Sequence, residues 1–316
     1  MAVLVTALGA TGMIVAAKRV VRAVGRVPGV ADVLSDPSPN MENFLLVGSD
    51  SRANIDPNSP DFGGIGTEDE VTGSRSDTIM VLRLDKRGGP ASLLSIPRDL
   101  WVSVPGHEGK RRINSAFNDG PAVLVQTVQQ ALMLPIHHYV EVDFSGFKDL
   151  VDSVGGVVVC FQYPTRDLHT GLDVPVPGCF VLDGVQALAY ARSRYYEQFR
   201  DNDWQRDGTA DLGRSTRQRD FVNRAVQAAL DEVKANPFSA GRMVSSIGAA
   251  LRIDDQLDPI RTGSALRSAL GTGLVTYALP VVGTTIDDKS VLLLADDANS
   301  VLDFFRGAGP APESDG

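Results

Sequence analysis

Acidic, basic and hydroxyl residues collect where apolar runs end, in four places. These are Gly48-Ser-Asp-Ser-Arg52, Ser74-Arg-Ser-Asp-Thr78, Ile96-Pro-Arg-Asp99 and Ala191-Arg-Ser-Arg194, the last followed by Asp211-Leu-Gly-Arg214 and Arg217-Gln218. Open α/β sheets bind ligands where their strands end. Asp50 and Asp77 fall at the ends of neighbouring apolar runs. Two carboxylates at one edge suit a hard divalent cation. Magnesium is held this way, by one or two carboxylates plus substrate phosphate. The competing reading for either aspartate alone is a turn cap.

The arginines point toward an anion. Arg214, Arg217 and Gln218 have i, i+3, i+4 spacing and share one face of a helix start, and Phe221, Ala225, Val226 and Ala229 continue that stripe as apolar core. A helix N-terminus attracts anions and disfavours cations, so two arginines there make sense if they serve a ligand. Between 192 and 224 there are eight arginines and six acidic residues, so the region is nearly neutral. That balance excludes a simple nucleic-acid stripe and leaves a phosphate clamp or a solvated charged face.

Other chemistries are excluded. There is no Gly-x-x-x-x-Gly-Lys loop, and Gly48-Ser-Asp-Ser-Arg52 is not a Gly-x-Ser-x-Gly elbow. His107, His137, His138 and His169 lie near no evident nucleophile. Two cysteines and four scattered histidines give no zinc spacing. The net charge of −9 argues against bulk attraction to nucleic acid. Cys160 and Cys179 are either two separate thiols or a disulfide. A disulfide would stabilise by roughly 3 kcal/mol in the loop-entropy view and imply an oxidising compartment.

The elements that must position these residues alternate. Strands are expected over 43–48, 78–84, 91–96, 138–143, 157–160, 274–281 and 290–294. A helix starts at Pro121 and runs to about Met133. A second, capped by Ser145, ends at Gly155-Gly156. A short one follows Asp183, a long one spans 214–234, and another lies near 299–305. This alternation predicts one three-layer α/β/α domain over 43–306. Residues 1–17 carry no charge and are mostly apolar, with Lys18, Arg19, Arg22 and Arg26 behind them. The segment 1–26 is read as a membrane anchor with a basic flank, 27–42 as a linker, and 307–316 as a disordered tail.

Taken in order, the clusters resemble the LytR-CpsA-Psr family of cell-wall glycopolymer ligases. The resemblance rests on Phe44 through Arg52, Arg75 through Ile79, Ser95 through Asp99, Arg112-Ile-Asn114, Val151 through Val157, Leu182 through Arg194, and Asp211 through Gln218. It implies an α/β/α fold with a central mixed sheet. It also implies a single membrane anchor with the domain outside the cell, and an apolar pocket for a polyprenyl chain. By resemblance Asp50 and Asp77 are the magnesium ligands, with manganese as a substitute. Arg75, Arg98, Arg192, Arg194, Arg214 and Gln218 match pyrophosphate contacts. Arg52, Asp99, Asn114, Asp211 and Arg217 match other motif positions, Arg52 and Asn114 on the substrate side. The implied partners are a polyprenyl-pyrophosphate-linked glycan donor and peptidoglycan as acceptor, with no nucleic acid. The implied reaction is phosphotransfer to peptidoglycan, with Asp99 or Asp211 as general base; the glycopolymer could be arabinogalactan, teichoic acid or capsule. The alternatives are a pyrophosphohydrolase using water, and a non-enzymatic lipid-binding or regulatory protein. The apolar helices 121–133 and 184–191 are the candidate walls of the lipid pocket, or plain core. Two stretches depart from the family pattern: a long loop, 53–73, and an insertion, 195–210, that holds Tyr195, Tyr196 and Trp204.

Overall fold

The computed structural model describes residues 24–50, 76–208, 210–235 and 250–313. Arg52, Arg75, the loop 53–73 and the segment 1–23 lie outside these residues, as do the side chains of Asp77 and Asp211.

Seventeen strands and six α-helices are described. The strands are β1 (Gly25–Arg26), β2 (Met41–Ser49), β3 (Ser76–Asp85), β4 (Ala91–Ile96), β5 (Trp101–Ser103), β6 (Lys110–Arg112), β7 (His138–Val142), β8 (Val157–Phe161), β9 (Thr165–Asp167), β10 (Leu172–Val174), β11 (Gly178–Leu182), β12 (Glu197–Arg200), β13 (Asp203–Arg206), β14 (Leu251–Ile253), β15 (Leu274–Ala278), β16 (Val281–Ile286) and β17 (Lys289–Leu294). The helices are α1 (Pro121–Leu132), α2 (Phe144–Ser153), α3 (Gly184–Arg192), α4 (Ala210–Ala235), α5 (Pro259–Thr272) and α6 (Ala298–Arg306).

The central sheet is mixed, in the order β1-β14-β7-β2-β3-β4-β15. Its two faces follow from strand alternation. Leu45, Val47, Ile79, Val81, Leu94 and Ile96 face one side, where α1, α6 and the short 3-10 helix Ile113–Asp119 pack on them. Phe44, Leu84, Ala91 and Ile253 face the other, against α5. Helices on both faces make the expected three layers.

A second core lies beside the sheet, built from α3, Phe221 of α4 and the β8–β11 ribbon. Cys160 and Cys179 face each other across that ribbon and form a disulfide. The insertion 195–210 adds a hairpin, β12–β13, to β9 and β10, giving a four-stranded accessory sheet. Its two-residue turn uses Asp201 and Asn202, both at positive φ, as a tight hairpin requires.

The sequence expectations need three adjustments. Asp143, not Ser145, caps α2: its carboxylate accepts from Gly146 N at 2.7 Å. Residues 27–42, read as a linker, lie against the domain. Val27 and Val30 are buried, Val27 N donates to Ile253 O, and Ser35 N donates to Ile136 O. The tail is tied at its start: Gly307 takes a left-handed cap, and Ala308 N and Gly309 N donate to Asp303 O.

Asp183 caps α3 as expected, in a reciprocal capping box with Gln186. Behind that cap, Gly184 lets α3 approach α2 closely. A Cβ there would sit 2.6 Å from Lys148 O. Gly184→Ala is therefore expected to cost about 1–3 kcal/mol, as overpacking does, visible as a lower thermal midpoint.

The histidine pair 137–138 is structural. His137 is buried, and its Nδ1 accepts from Asn43 N at 3.0 Å. Burial, then the neighbouring His138, holds its imidazole below the usual range. A depressed histidine contributes stability above the unfolded value, near 6.5, that is lost as pH falls through the folded value. Urea titrations from pH 7.5 to 5 are expected to show this loss, and His137→Gln is expected to reduce it.

Candidate functional site

Strands β2, β4, β7 and β15 run in one direction, and β3 runs against β2 and β4. The C-terminal ends of β2, β4 and β7 and the start of β3 therefore share one edge. Asp50 follows β2 there, and Asp77 stands at the start of β3. The ladder is irregular at this point. Gly48 pairs with Thr78 and Ser49 with Ser76, so Asp77 is an extra, unpaired residue. A bulge of this kind re-aims a strand and is common beside active sites.

Arg98 and Asp99 leave β4 at the same edge. Asp99 stands between two guanidinium groups: Oδ1 is 3.1 Å from Arg112 Nε, and Oδ2 is 3.5 Å from Arg98 Nε. This turn is clamped from both sides. The buried Asn114 donates its backbone N–H to Arg98 O at 3.2 Å. Leu292 N donates to Asp99 O at 3.0 Å, and Arg112 Nη2 donates to Ser290 O at 2.7 Å. The C-terminal hairpin β16–β17 thus buttresses the turn that carries Arg98.

Helix α2 starts at the C-terminal end of β7, so its first turn belongs to the same edge. The Arg192 guanidinium lies 4.6 Å from the centre of the Phe144 ring in that turn. This contact ties the end of α3, and the segment 191–195, to the sheet edge. Helix α4 grips the same segment. Gln218 Nε2 donates to Ala191 O at 3.1 Å, and Arg217 Nη2 donates to Ser193 O at 2.8 Å. Arg217 Nη1 also pairs with Asp207 at 2.9 Å and its guanidinium stacks on Tyr196. Arg214 is fully buried on the same helix.

The structure therefore brings Asp50, the Asp77 backbone, Arg98, Asp99, Asn114 and Arg192 to one edge. It attaches Arg194 and Arg217 through the segment 191–195. Arg217 and the Gln218 amide nitrogen hold main-chain carbonyls, a positioning duty that differs from direct contact with an anion. Helices α1 and α3, the candidate walls of an apolar pocket, belong to different cores: Leu124, Val125 and Val128 are buried in the main one, Ala187 and Tyr190 in the second. Partly buried apolar residues lie instead on the α5 side of the sheet, where Leu46, Leu82 and Val140 sit on adjacent strands.

Sequence reasoning missed three carboxylates that are buried among the described residues, Glu141, Asp167 and Asp254. Glu141 of β7 accepts from Ser49 Oγ at 3.2 Å, Tyr139 O–H at 3.0 Å and Arg252 at 3.3 Å. Burial, then the Glu141 charge, pushes the Tyr139 phenol far above its ordinary range, so it stays a donor. Asp167 of β9 is fully buried and holds the segment 193–195. An acidic residue inside an apolar strand was the signal for Glu141. Asp167 carried none for its hold on 193–195, because those partners lie 26 to 28 residues away.

Among the described residues no group of three or more His, Cys, Asp or Glu side chains is placed to hold a metal. Asp50 and Asp77, residues at neighbouring strand ends, are of the donor type that magnesium takes beside water and phosphate.

A model of the LytR_cpsA_psr family matches residues 26–303. The chain is 35% identical over 260 residues to a Corynebacterium glutamicum protein named "Probable cell wall biosynthesis protein LcpB", covering 82% of this chain and 59% of that protein. It is 31% identical over 266 residues to the polyisoprenyl-teichoic acid–peptidoglycan teichoic acid transferase TagU of Oceanobacillus iheyensis, covering 81% of this chain and 72% of that one. The solved LytR-Csp2A-Psr enzyme from Actinomyces oris matches with a TM-score of 0.68 at 23% identity, over 89% of this chain and 95% of that chain, which is a likeness of fold.

Proposed function

The chain belongs to the LytR_cpsA_psr family, and from that membership we propose that it transfers a glycopolymer from a polyprenyl-pyrophosphate carrier to peptidoglycan. The observation that carries this reading is the sheet edge itself: two aspartates at neighbouring strand ends, the Arg98–Asp99–Arg112 cluster beside them, and Arg192 brought in by Phe144. The name of the Oceanobacillus relative describes such a transfer, with teichoic acid as cargo.

In this reading a peptidoglycan hydroxyl oxygen forms a bond to the glycan-side phosphorus. The bond from that phosphorus to the bridging oxygen breaks, and the lipid leaves as a polyprenyl monophosphate. Arg98, Arg192 and Arg194 neutralise the charge that develops on the departing phosphate, which is electrostatic rather than covalent catalysis. Asp50 and Asp77 would hold magnesium, which when bound supplies further neutralisation of the pyrophosphate oxygens. Both oxygens of Asp99 face guanidinium groups, so Asp99 serves to hold Arg98 and Arg112. The hydroxyl proton then goes to Asp211, in the first turn of α4. The partly buried Leu46, Leu82 and Val140 offer the polyprenyl chain an apolar surface.

The Cys160–Cys179 disulfide favours an oxidising compartment, and hence a domain outside the cell; Gly25 and Arg26 belong to β1 of the sheet, so the anchor of this reading lies before them. No helix among the described residues is long and apolar enough to cross a membrane. Product analysis of the purified protein, with and without uncrosslinked peptidoglycan, tests the proposal. Glycopolymer joined to peptidoglycan supports it, whereas glycan phosphate released equally with or without acceptor would make the protein a hydrolase.

A further inference from the structure

We infer that Asp167 is a positioning residue for the arginine pair Arg192 and Arg194, acting from the accessory sheet through the backbone between them. The inference rests on the proposed role of those arginines at the pyrophosphate.

Asp167 ends β9 and is fully buried. Oδ2 accepts from Ser193 Oγ at 2.7 Å, Arg194 N at 3.0 Å and Tyr195 N at 2.9 Å. Oδ1 accepts from His169 N at 2.9 Å and Thr170 N at 3.4 Å. One carboxylate thus joins the β9–β10 turn to the three residues that follow Arg192. Arg217 and Gln218 hold the opposite side of that segment through Ser193 O and Ala191 O. Donors reach it from one element and acceptors from another, so the backbone bearing both arginines has one position.

Every partner of Asp167 is a donor, apart from the hydroxyl, which can turn. Burial alone would raise its carboxyl, but the bonds from Ser193, Tyr195, His169 and Thr170 outweigh that and hold it below the usual range. The carboxylate is therefore ionised and accepts at both oxygens. An asparagine cannot do this, because either amide flip turns N–H hydrogens toward backbone N–H groups. Loss of the clamp would let the arginines drift from the phosphate, and a displacement near 1 Å can cost about 10²-fold in rate.

The test compares wild type, Asp167→Asn, Ser193→Ala and Arg194→Ala in the full chain. Farnesyl pyrophosphate binding is measured by calorimetry, and transfer kcat is taken per folded molecule, with folding followed by circular dichroism. Asp167→Asn is expected to lower kcat about 10- to 100-fold while most of the protein stays folded. Ser193→Ala removes one bond of the clamp and is expected to lower kcat about 2- to 10-fold. If both variants are folded with wild-type kcat and probe affinity while Arg194→Ala binds weakly, Asp167 is only structural and the inference fails. A wild-type protein that does not bind the probe would instead overturn the reading of the arginines, and this inference with it. If Asp167→Asn does not fold, Ser193→Ala decides alone: wild-type kcat in that variant overturns the inference.

Discussion

Asp99→Ala is expected to lower glycopolymer transfer about 10²- to 10³-fold, the size of effect seen when one charge-stabilising donor is lost. The carboxylate lies between Arg98 and Arg112, at 3.5 and 3.1 Å. Without it Arg98 and Arg112 lose the counter-charge they share at the end of β4, and Arg98 is held less firmly. Arg112 is partly exposed, so water offsets part of the cost, and stability should fall by about 1–3 kcal/mol rather than the larger loss of a fully buried pair. Transfer assays beside denaturant titrations separate the two effects, because a loss of stability of that size leaves most molecules folded. Wild-type transfer by folded Asp99→Ala would contradict this account.

Asp50→Ala and Asp77→Ala are each expected to lower transfer about 10³-fold or more while the fold survives. Both stand where strands end. With a chelator present, both variants should still unfold in one cooperative thermal transition. Added magnesium should raise the wild-type midpoint and leave the variants unmoved, since a ligand stabilises only the state that binds it. Equal magnesium shifts in wild type and both variants would place the ion elsewhere.

The parts legible in the sequence were those set by local rules. Apolar alternation marked β2, β3, β4 and β7, and Pro121 and Asp183 marked the starts of α1 and α3. Strand ends told where Asp50, Arg98 and Asp99 would meet, because an open sheet gathers its polar residues at one edge. The pairing of Cys160 with Cys179 was one of two open readings, and strand register settled it. The rest was hidden because it depends on partners far apart in the chain. The bulge at Asp77 is a mismatch between two strands and has no signature in either. Asp167 meets Ser193, and Asp99 meets the β17 backbone through Leu292, only after the chain has folded. The backbone contacts of Arg217 and Gln218 were hidden for a related reason. Helical spacing shows which face they share, but not that a neighbouring segment presents its carbonyls to that face.

The central claim is tested most directly by one assay. A radiolabelled, polyprenyl-pyrophosphate-linked glycopolymer is incubated with the purified protein and uncrosslinked peptidoglycan, with magnesium or with EDTA. The account predicts label joined to peptidoglycan with magnesium and none with EDTA. Label in peptidoglycan that is unchanged by EDTA would contradict the metal assignment, and no label in peptidoglycan from any donor would contradict the transferase.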